Sequence, residues 1–175
     1  MKFAGLPRGV LLLSVLLLCG CGATSSPSSS RALATPAASV TPSPTPAPTP
    51  NLAVTAAAAY LAAATTGNAA DTALNKAYPA TFKSVAQAKR YWSQYLAIEQ
   101  TFLSKIFAIA YPPFMKADVD AQIAAETKLV GDESELVSNP ADTAAYAAYS
   151  SDIKAEAGTA NVIRHDLGLP QVPLT

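Results

Sequence analysis

The sequence predicts an all-α fold, an antiparallel up-down-up-down four-helix bundle that follows a disordered linker rich in proline, threonine and serine. Alanine dominates a composition that is 50% hydrophobic, and alanine has the highest helix propensity of all residues. From residue 51 onward, apolar residues recur at spacings of three and four, which is the period of one helix face. The segments between these stretches are short, and short connections favour antiparallel neighbours.

The first predicted helix runs from Leu52 to Tyr78, with Asn51 as its N-cap and Pro79 closing it. One face of this helix carries Tyr60, Ala64, Gly67, Asp71, Leu74 and Tyr78. The second helix begins at Ser84, because Ser84-x-x-Gln87 has the form of a capping box, and it stops before Pro112. Its inward face consists of Ala88, Trp92, Tyr95, Leu96, Glu99, Phe102, Leu103, Ile106 and Ile109.

The third helix is predicted to use Pro113 in its first turn, and Gly131 is a candidate kink. Its apolar positions are Val119, Ile123, Val130 and Val137. The fourth helix is predicted to open with Asn139 as N-cap, Pro140 at N1 and Asp142 at N3, and to end at Gly168. It carries Tyr146, Tyr149, Ile153, Ala160, Ile163 and Leu167.

The N-terminal segment has the pattern of an export signal. Lys2 and Arg8 precede an apolar run over residues 9–18, which is too short for a transmembrane helix of about 20 residues. The run ends in Leu18-Cys19-Gly20-Cys21. The alternative interpretation is an ordinary secretory signal with an incidental cysteine.

The segment Leu18-Cys19-Gly20-Cys21 resembles the lipobox of bacterial prolipoproteins, with an aliphatic residue at −3 and a small residue at −1. The resemblance implies that Cys21 receives a diacylglyceryl group on sulfur and that a peptidase cleaves after Gly20. Cys19 competes for the same role, but it would place Leu18 at −1, which the pattern does not accept. The chain would then divide into a signal peptide over 1–20, a lipidated cysteine and tether over 21–50, and a bundle domain over 51–175.

The tether is predicted from an abrupt change in composition. Between Pro42 and Pro50 every second residue is proline, which fixes φ and removes the amide donor that helices and sheets require. We expect an extended, polyproline II-like spacer of about 3.1 Å per residue. It would hold the domain at a distance from a membrane, on the extracytoplasmic side.

The end of the chain resembles uncharacterised helical-bundle domains of bacterial surface lipoproteins. The residues that carry the resemblance are the alanine-rich last helix and its ending, Asp166-Leu167-Gly168-Leu169-Pro170. It implies the same architecture and no particular activity.

Charge excludes one class of partner. Lys+Arg and Asp+Glu both number 12, and loss of Lys2 and Arg8 with the signal leaves ten basic residues and a formal charge of −2. A nucleic-acid binder needs a basic face, so we expect the membrane, through the anchor, and an envelope protein or wall component as partners. The oligomeric state stays open.

The motifs expected of a metal or catalytic site are missing. A di-iron bundle requires Glu-x-x-His, but Val162 lies three residues before His165, the one histidine. His165 suits a helix C-terminus, and the same reasoning explains Asp118 and Asp120 at a helix N-terminus better than calcium binding does. We therefore expect no metal, no cofactor and no enzymatic activity.

Polar residues on the apolar faces carry the remaining functional hypotheses. Asn68, Asp71, Glu99 and Glu126 either face inward at a similar depth or lie at the solvated boundary, and the sequence favours the boundary. Tyr91 is expected to be exposed. Our preferred function is a non-catalytic envelope interaction module. The alternative is a carrier or sensor of a small ligand, with a pocket between the helices. The proposed ligand-binding residues are Trp92, Tyr95, Glu99 and Tyr149.

Overall fold

A computed structural model describes residues 51–78 and 81–173. The predicted signal peptide, Cys21 and the predicted linker lie outside the described residues. Every regular element within them is helical, so the all-α prediction is confirmed. The elements are α1 (Leu52–Ala77), α2 (Val85–Phe107), a 3₁₀ turn (Pro113–Met115), α3 (Lys116–Ser138) and α4 (Thr143–Asp166). No helix in this part of the chain combines the length and hydropathy needed to span a membrane.

Side-chain caps fix where the first two helices begin. The Oδ1 of Asn51 accepts a hydrogen bond from the amide of Ala53 at 3.1 Å. Ser84 Oγ accepts from the amide of Gln87 at 3.2 Å, and Gln87 Oε1 accepts from the amide of Lys83 at 2.8 Å. Both N-caps confirm the sequence prediction, since each supplies an acceptor to an orphan backbone donor.

The predicted start of the last helix was wrong. Asn139 is not its N-cap: the amide of Asp142 donates to the carbonyl of Asn139, which closes a turn around Pro140. Asp142 is the N-cap, and its Oδ1 accepts from the amides of the second and third residues that follow it. A carboxylate that satisfies two orphan donors competes successfully with a proline at N1.

The last helix ends as predicted. Gly168 has a φ of 67°, a conformation that glycine adopts without strain. The amide of Gly168 donates to the carbonyl of His165, and the amide of Leu169 donates to the carbonyl of Arg164. These two bonds form a Schellman motif. Asn161 then pairs with both backbone groups of Val172 at 2.8 Å, which holds the end of the described chain against α4.

The interior contains two apolar clusters. The first, called the aromatic cluster here, consists of Leu74, Tyr91, Trp92, Tyr95, Leu129, Leu136, Ala145, Tyr149 and Ile153. The second, called the aliphatic cluster, consists of Ala56, Tyr60, Ala63, Ile106, Met115, Ile163 and Leu167. The candidate site described below lies among residues of both.

The buried face of the third helix differs from its predicted apolar positions. Its buried residues are Gln122, Glu126, Leu129, Glu133 and Leu136. The four apolar positions, Val119, Ile123, Val130 and Val137, are half-buried, and Val119 and Val137 pack against the edges of the two clusters. α3 runs without a break through Gly131, and α2 ends at Phe107, several residues before Pro112. The prediction failed because it required apolar side chains on the buried face, where three of five are polar.

Candidate functional site

Four carboxyl groups, one from each helix, line a single cavity inside the domain. The cavity has a volume of about 60 Å³. Its acidic residues are Asp71 of α1, Glu99 of α2, Glu126 of α3 and Glu156 of α4. Each residue falls on the buried face of its helix at the spacing of an apolar core residue. The helical period itself therefore directs the carboxyls inward.

Gln122 joins two of these carboxyls. Its Nε2 donates to Glu126 Oε1 at 3.1 Å and to Glu156 Oε1 at 2.9 Å. Glu126 is only 1% exposed. Its carboxyl hydrogen-bonds with that of Glu156, and no N–H or hydroxyl donor among the described residues reaches its Oε2. A buried polar atom left unpaired costs about 1–3 kcal/mol, and more if it is charged. The pair therefore favours a shared proton, or a ligand that supplies a donor.

Burial and mutual repulsion raise the pKa values of the cavity carboxyls. Burial, followed by the negative charge of Glu156, raises the pKa of Glu126 to about 11. Burial likewise raises the pKa of Glu156. The pKa of Glu99 is raised to about 8, mainly by burial, and that of Asp71 to about 6 for the same reason. At neutral pH the Glu126–Glu156 pair thus retains a proton when nothing else neutralises it.

Tyrosines border the acidic cavity. Tyr60 and Tyr95 both line it, and hydrogen bonding with Tyr95 partly offsets the raised pKa of Glu99. Burial, followed by the charge of Glu156, raises the pKa of Tyr60. Both hydroxyls stay protonated, and that of Tyr95 donates a hydrogen bond to Glu99.

A fifth carboxyl, that of Glu133, is buried beside the cavity without lining it. Glu133 is 0% exposed, and neither of its carboxyl oxygens has a hydrogen-bond partner among the described residues. Burial, and then the charge of Glu99, raises its pKa to about 10. Glu133 is therefore a neutral acid at physiological pH and adds no negative charge beside the cavity.

Basic side chains do not neutralise the cavity in the described part of the chain. The ion pairs found there are Lys116–Asp120, Lys128–Asp152 and His165–Asp166. Arg164 is buried, but its Nε donates to the carbonyl of Pro170 at 2.5 Å. The same described residues hold no group of three His, Cys, Asp or Glu side chains placed to bind a metal ion.

The four predicted ligand-binding residues separate into two pairs. Tyr95 and Glu99 line the cavity. Trp92 and Tyr149 instead pack against each other in the aromatic cluster, with ring centroids 5.1 Å apart and an interplanar angle of 80°. Trp92 and Tyr149 are therefore core residues. Cys21, the predicted lipidation site, lies outside the described residues.

Two sequence interpretations need correction. The boundary interpretation of the inward polar residues was wrong for Glu126, which is buried; Asn68, Asp71 and Glu99 are half-buried, and all four line the cavity. The expected exposure of Tyr91 was also wrong. Tyr91 is 7% exposed, and its hydroxyl donates to Asn75 Oδ1 at 3.0 Å. Tyr91 therefore belongs to the interior, although it lies off the predicted apolar face of α2.

Sequence reasoning missed Gln122, Glu133 and Glu156, although a signal was present. In α4, Glu156 fills the gap between Ile153 and Ala160, and the spacings of three and four continue unbroken through it. Gln122, Glu126, Leu129, Glu133 and Leu136 likewise follow spacings of four, three, four and three. A periodicity search that admitted polar residues would have found both faces.

The other candidate ligands have separate roles. His165 is exposed in the last turn of α4, and its Nδ1 lies 3.2 Å from Asp166 Oδ1. Asp120 accepts a hydrogen bond from Lys116 Nζ at 2.6 Å near the start of α3, whereas Glu126 faces the cavity.

Comparisons with protein-family models, with curated proteins and with solved structures give no match to this chain.

Proposed function

We propose that the chain is a lipid-anchored protein of the bacterial envelope, held by a diacylglyceryl group on Cys21 and facing the extracytoplasmic side. The lipobox-like segment and the proline-rich residues that follow it support this proposal. Two acyl chains give stable attachment where one would be marginal. Cys21→Ser should abolish membrane partitioning and remove the lipid mass. A variant that stays with the membrane would contradict the anchor.

The four helices form an antiparallel up-down-up-down bundle in this proposal. Contacts between helices support it. Tyr91, near the start of α2, donates to Asn75, near the end of α1. In α3 and α4, Gln122 bonds Glu156 whereas the later Lys128 bonds the earlier Asp152. Pairs whose numbers rise on one helix and fall on the other are those of antiparallel neighbours.

Within this envelope protein, the bundle acts as a non-catalytic carrier or sensor of a small ligand. The single observation that carries the proposal is Glu126, which lines the cavity with one buried oxygen unpaired. Polar groups that converge on a cavity and have perturbed pKa values are the usual features of a binding site. A cavity of about 60 Å³ is far smaller than the several hundred cubic ångströms that suit a drug-sized molecule. The ligand is therefore small.

Native mass spectrometry of the full-length chain, isolated gently from its host, tests ligand binding. The expected result is a noncovalent adduct. Ala160→Leu should abolish it, because Ala160 is 4% exposed and lines the cavity. Ala155→Leu is the matched control, since Ala155 lies on the exposed side of the same helix. A chain that carries no adduct, or an adduct that persists in Ala160→Leu, would contradict the proposed function.

A second candidate is the interaction module, which contacts an envelope protein or a wall component. The observation in its favour is the exposure of two large aromatic residues, Phe107 at 71% and Phe114 at 72%. Exposed aromatic residues are enriched at protein contacts. The double variant Phe107→Ser and Phe114→Ser should lose any specific partner that wild type recovers from envelope extracts. Equal recovery by both proteins would remove this candidate.

A further inference from the structure

We propose that the cavity between Asp71, Glu99, Glu126 and Glu156 binds a protonated primary amine of about four to six non-hydrogen atoms. This inference rests on the proposed ligand-binding function and specifies the chemical class of the ligand.

The charge of the site favours a cation. Glu126 and Glu156 share one donor, the Nε2 of Gln122, although two carboxyl groups can accept several hydrogen bonds each. Glu126 Oε2 stays without a donor among the described residues. An ammonium group carries three donors and one positive charge. It would therefore satisfy the unpaired oxygen and balance one of the two negative charges that the ionised pair carries.

The lining distinguishes an amine from a metal ion. Calcium requires six to eight oxygen ligands at 2.3–2.6 Å, and no metal-binding group of three side chains occurs in the described residues. One part of the cavity wall is apolar and includes Phe102, Leu129 and Ile153. A bare ion gains nothing from such a wall, whereas the carbon chain of an amine would bury its surface there.

The volume limits the size of the amine. Each atom the size of a water molecule needs roughly 10–15 Å³ of cavity volume. A volume of about 60 Å³ therefore holds about four to six atoms of that size. Butylammonium, with four carbons and one nitrogen, fits this limit and serves as the probe.

Binding of the amine should release a proton from the site. The empty Glu126–Glu156 pair retains a proton, and an ammonium that replaces it leaves both carboxylates ionised. Affinity should therefore rise with pH between 6 and 8, as the cavity acids lose protons more easily. Tyr60 and Glu99 interact electrostatically with the pair itself. Further titratable and charged groups face Tyr60 or Glu99: Tyr111 before α3 and Arg164 from α4 lie near Tyr60, and Asp71 from α1, Tyr95 from α2 and Glu133 from α3 lie near Glu99.

Calorimetric titration of the full-length chain in detergent tests the proposal. Butylammonium chloride should bind at least ten times more tightly than butan-1-ol, its neutral analogue of similar shape. Titrations in two buffers with different ionisation enthalpies should show proton release on binding. Glu126→Gln should weaken amine binding at least tenfold, because it removes charge and keeps shape. Glu135→Gln, at an exposed position of the same helix, should bind like wild type.

The failures are distinguishable. Equal binding of butan-1-ol, or tighter binding of calcium or manganese in competition, would overturn the amine and leave a ligand-binding cavity. The same holds if no probe binds but the chain from its host carries a neutral adduct. If no probe binds and that chain carries no adduct, both the amine and the proposed function fall.

Discussion

The aromatic cluster and the acidic cavity are adjacent parts of one interior, but they differ in how closely their side chains pack and in how well their polar groups are paired. In the aromatic cluster, Trp92 contacts Tyr91, Tyr95, Tyr146 and Tyr149 in edge-to-face geometry, with centroids 5.1–6.4 Å apart. Such pairs stabilise the fold beyond the area they bury. The cavity leaves space unfilled and carboxyl groups poorly paired, which costs stability. The difference indicates that close packing determines the residues of the aromatic cluster, and that the chemistry of a ligand determines those of the cavity.

The largest effect should come from the aromatic cluster. Trp92→Ala removes a side chain that is 5% exposed, and truncation of a buried aromatic residue costs about 3–5 kcal/mol. Denaturant unfolding of the full-length chain measures the loss. Ser93→Ala, at the exposed neighbouring position, should change stability by less than about 0.5 kcal/mol. Equal losses of stability in the two variants would contradict the assignment of Trp92 to the core and of Ser93 to the surface of α2.

The cavity should respond in the opposite direction. Glu126→Gln removes the need to keep a buried carboxyl protonated, so it should stabilise the ligand-free protein by about 1–3 kcal/mol at pH 8. At pH 5 the gain should be much smaller, because pH 5 lies close to the ordinary pKa of 4.5 that the carboxyl has in the unfolded chain, so keeping it protonated in the folded state costs little there. Chemical denaturation at the two pH values measures both, with Glu135→Gln as the control. Destabilisation at pH 8 would show that Glu126 is held by a stabilising partner.

The pH dependence of the wild type combines the contributions of all the buried carboxyl groups. Raised folded-state pKa values, such as about 8 for Glu99 and about 6 for Asp71, mean that the folded chain binds more protons than the unfolded chain. Stability therefore falls as pH rises from 5 to 8. The lowered pKa of Asp152 acts in the opposite direction, but only below this window. We expect a Tm at least about 4 °C higher at pH 5 than at pH 8, because the cost of keeping Glu126 protonated alone amounts to about 1–3 kcal/mol at pH 8. A higher Tm at pH 8 would contradict the raised values.

Sequence patterns predicted the elements better than they predicted the site. The caps at Asn51 and Ser84 and the glycine at 168 depend on local chemistry, which a sequence displays directly. The inward face of α3 depends on tertiary context. The helical period places Glu126 and Glu133 on one face with Leu129 and Leu136, but carboxylates are rarely buried, so the apolar pattern alone did not assign that face to the interior. Trp92 and Tyr149 were predicted to line a pocket, because the sequence does not show that their rings pack against each other.

The proposed function depends on the Glu126–Glu156 pair, which we expect to hold a proton at neutral pH when no ligand is bound. Carbon-13 NMR titration of glutamate side chains in the full-length chain, with Glu126→Gln for assignment, measures this directly. The account predicts that the Glu126 carboxyl resonance remains at its protonated position at pH 7 and moves toward the ionised position when butylammonium is added. Titration of Glu126 near pH 4.5, the ordinary value for a glutamate, would contradict it.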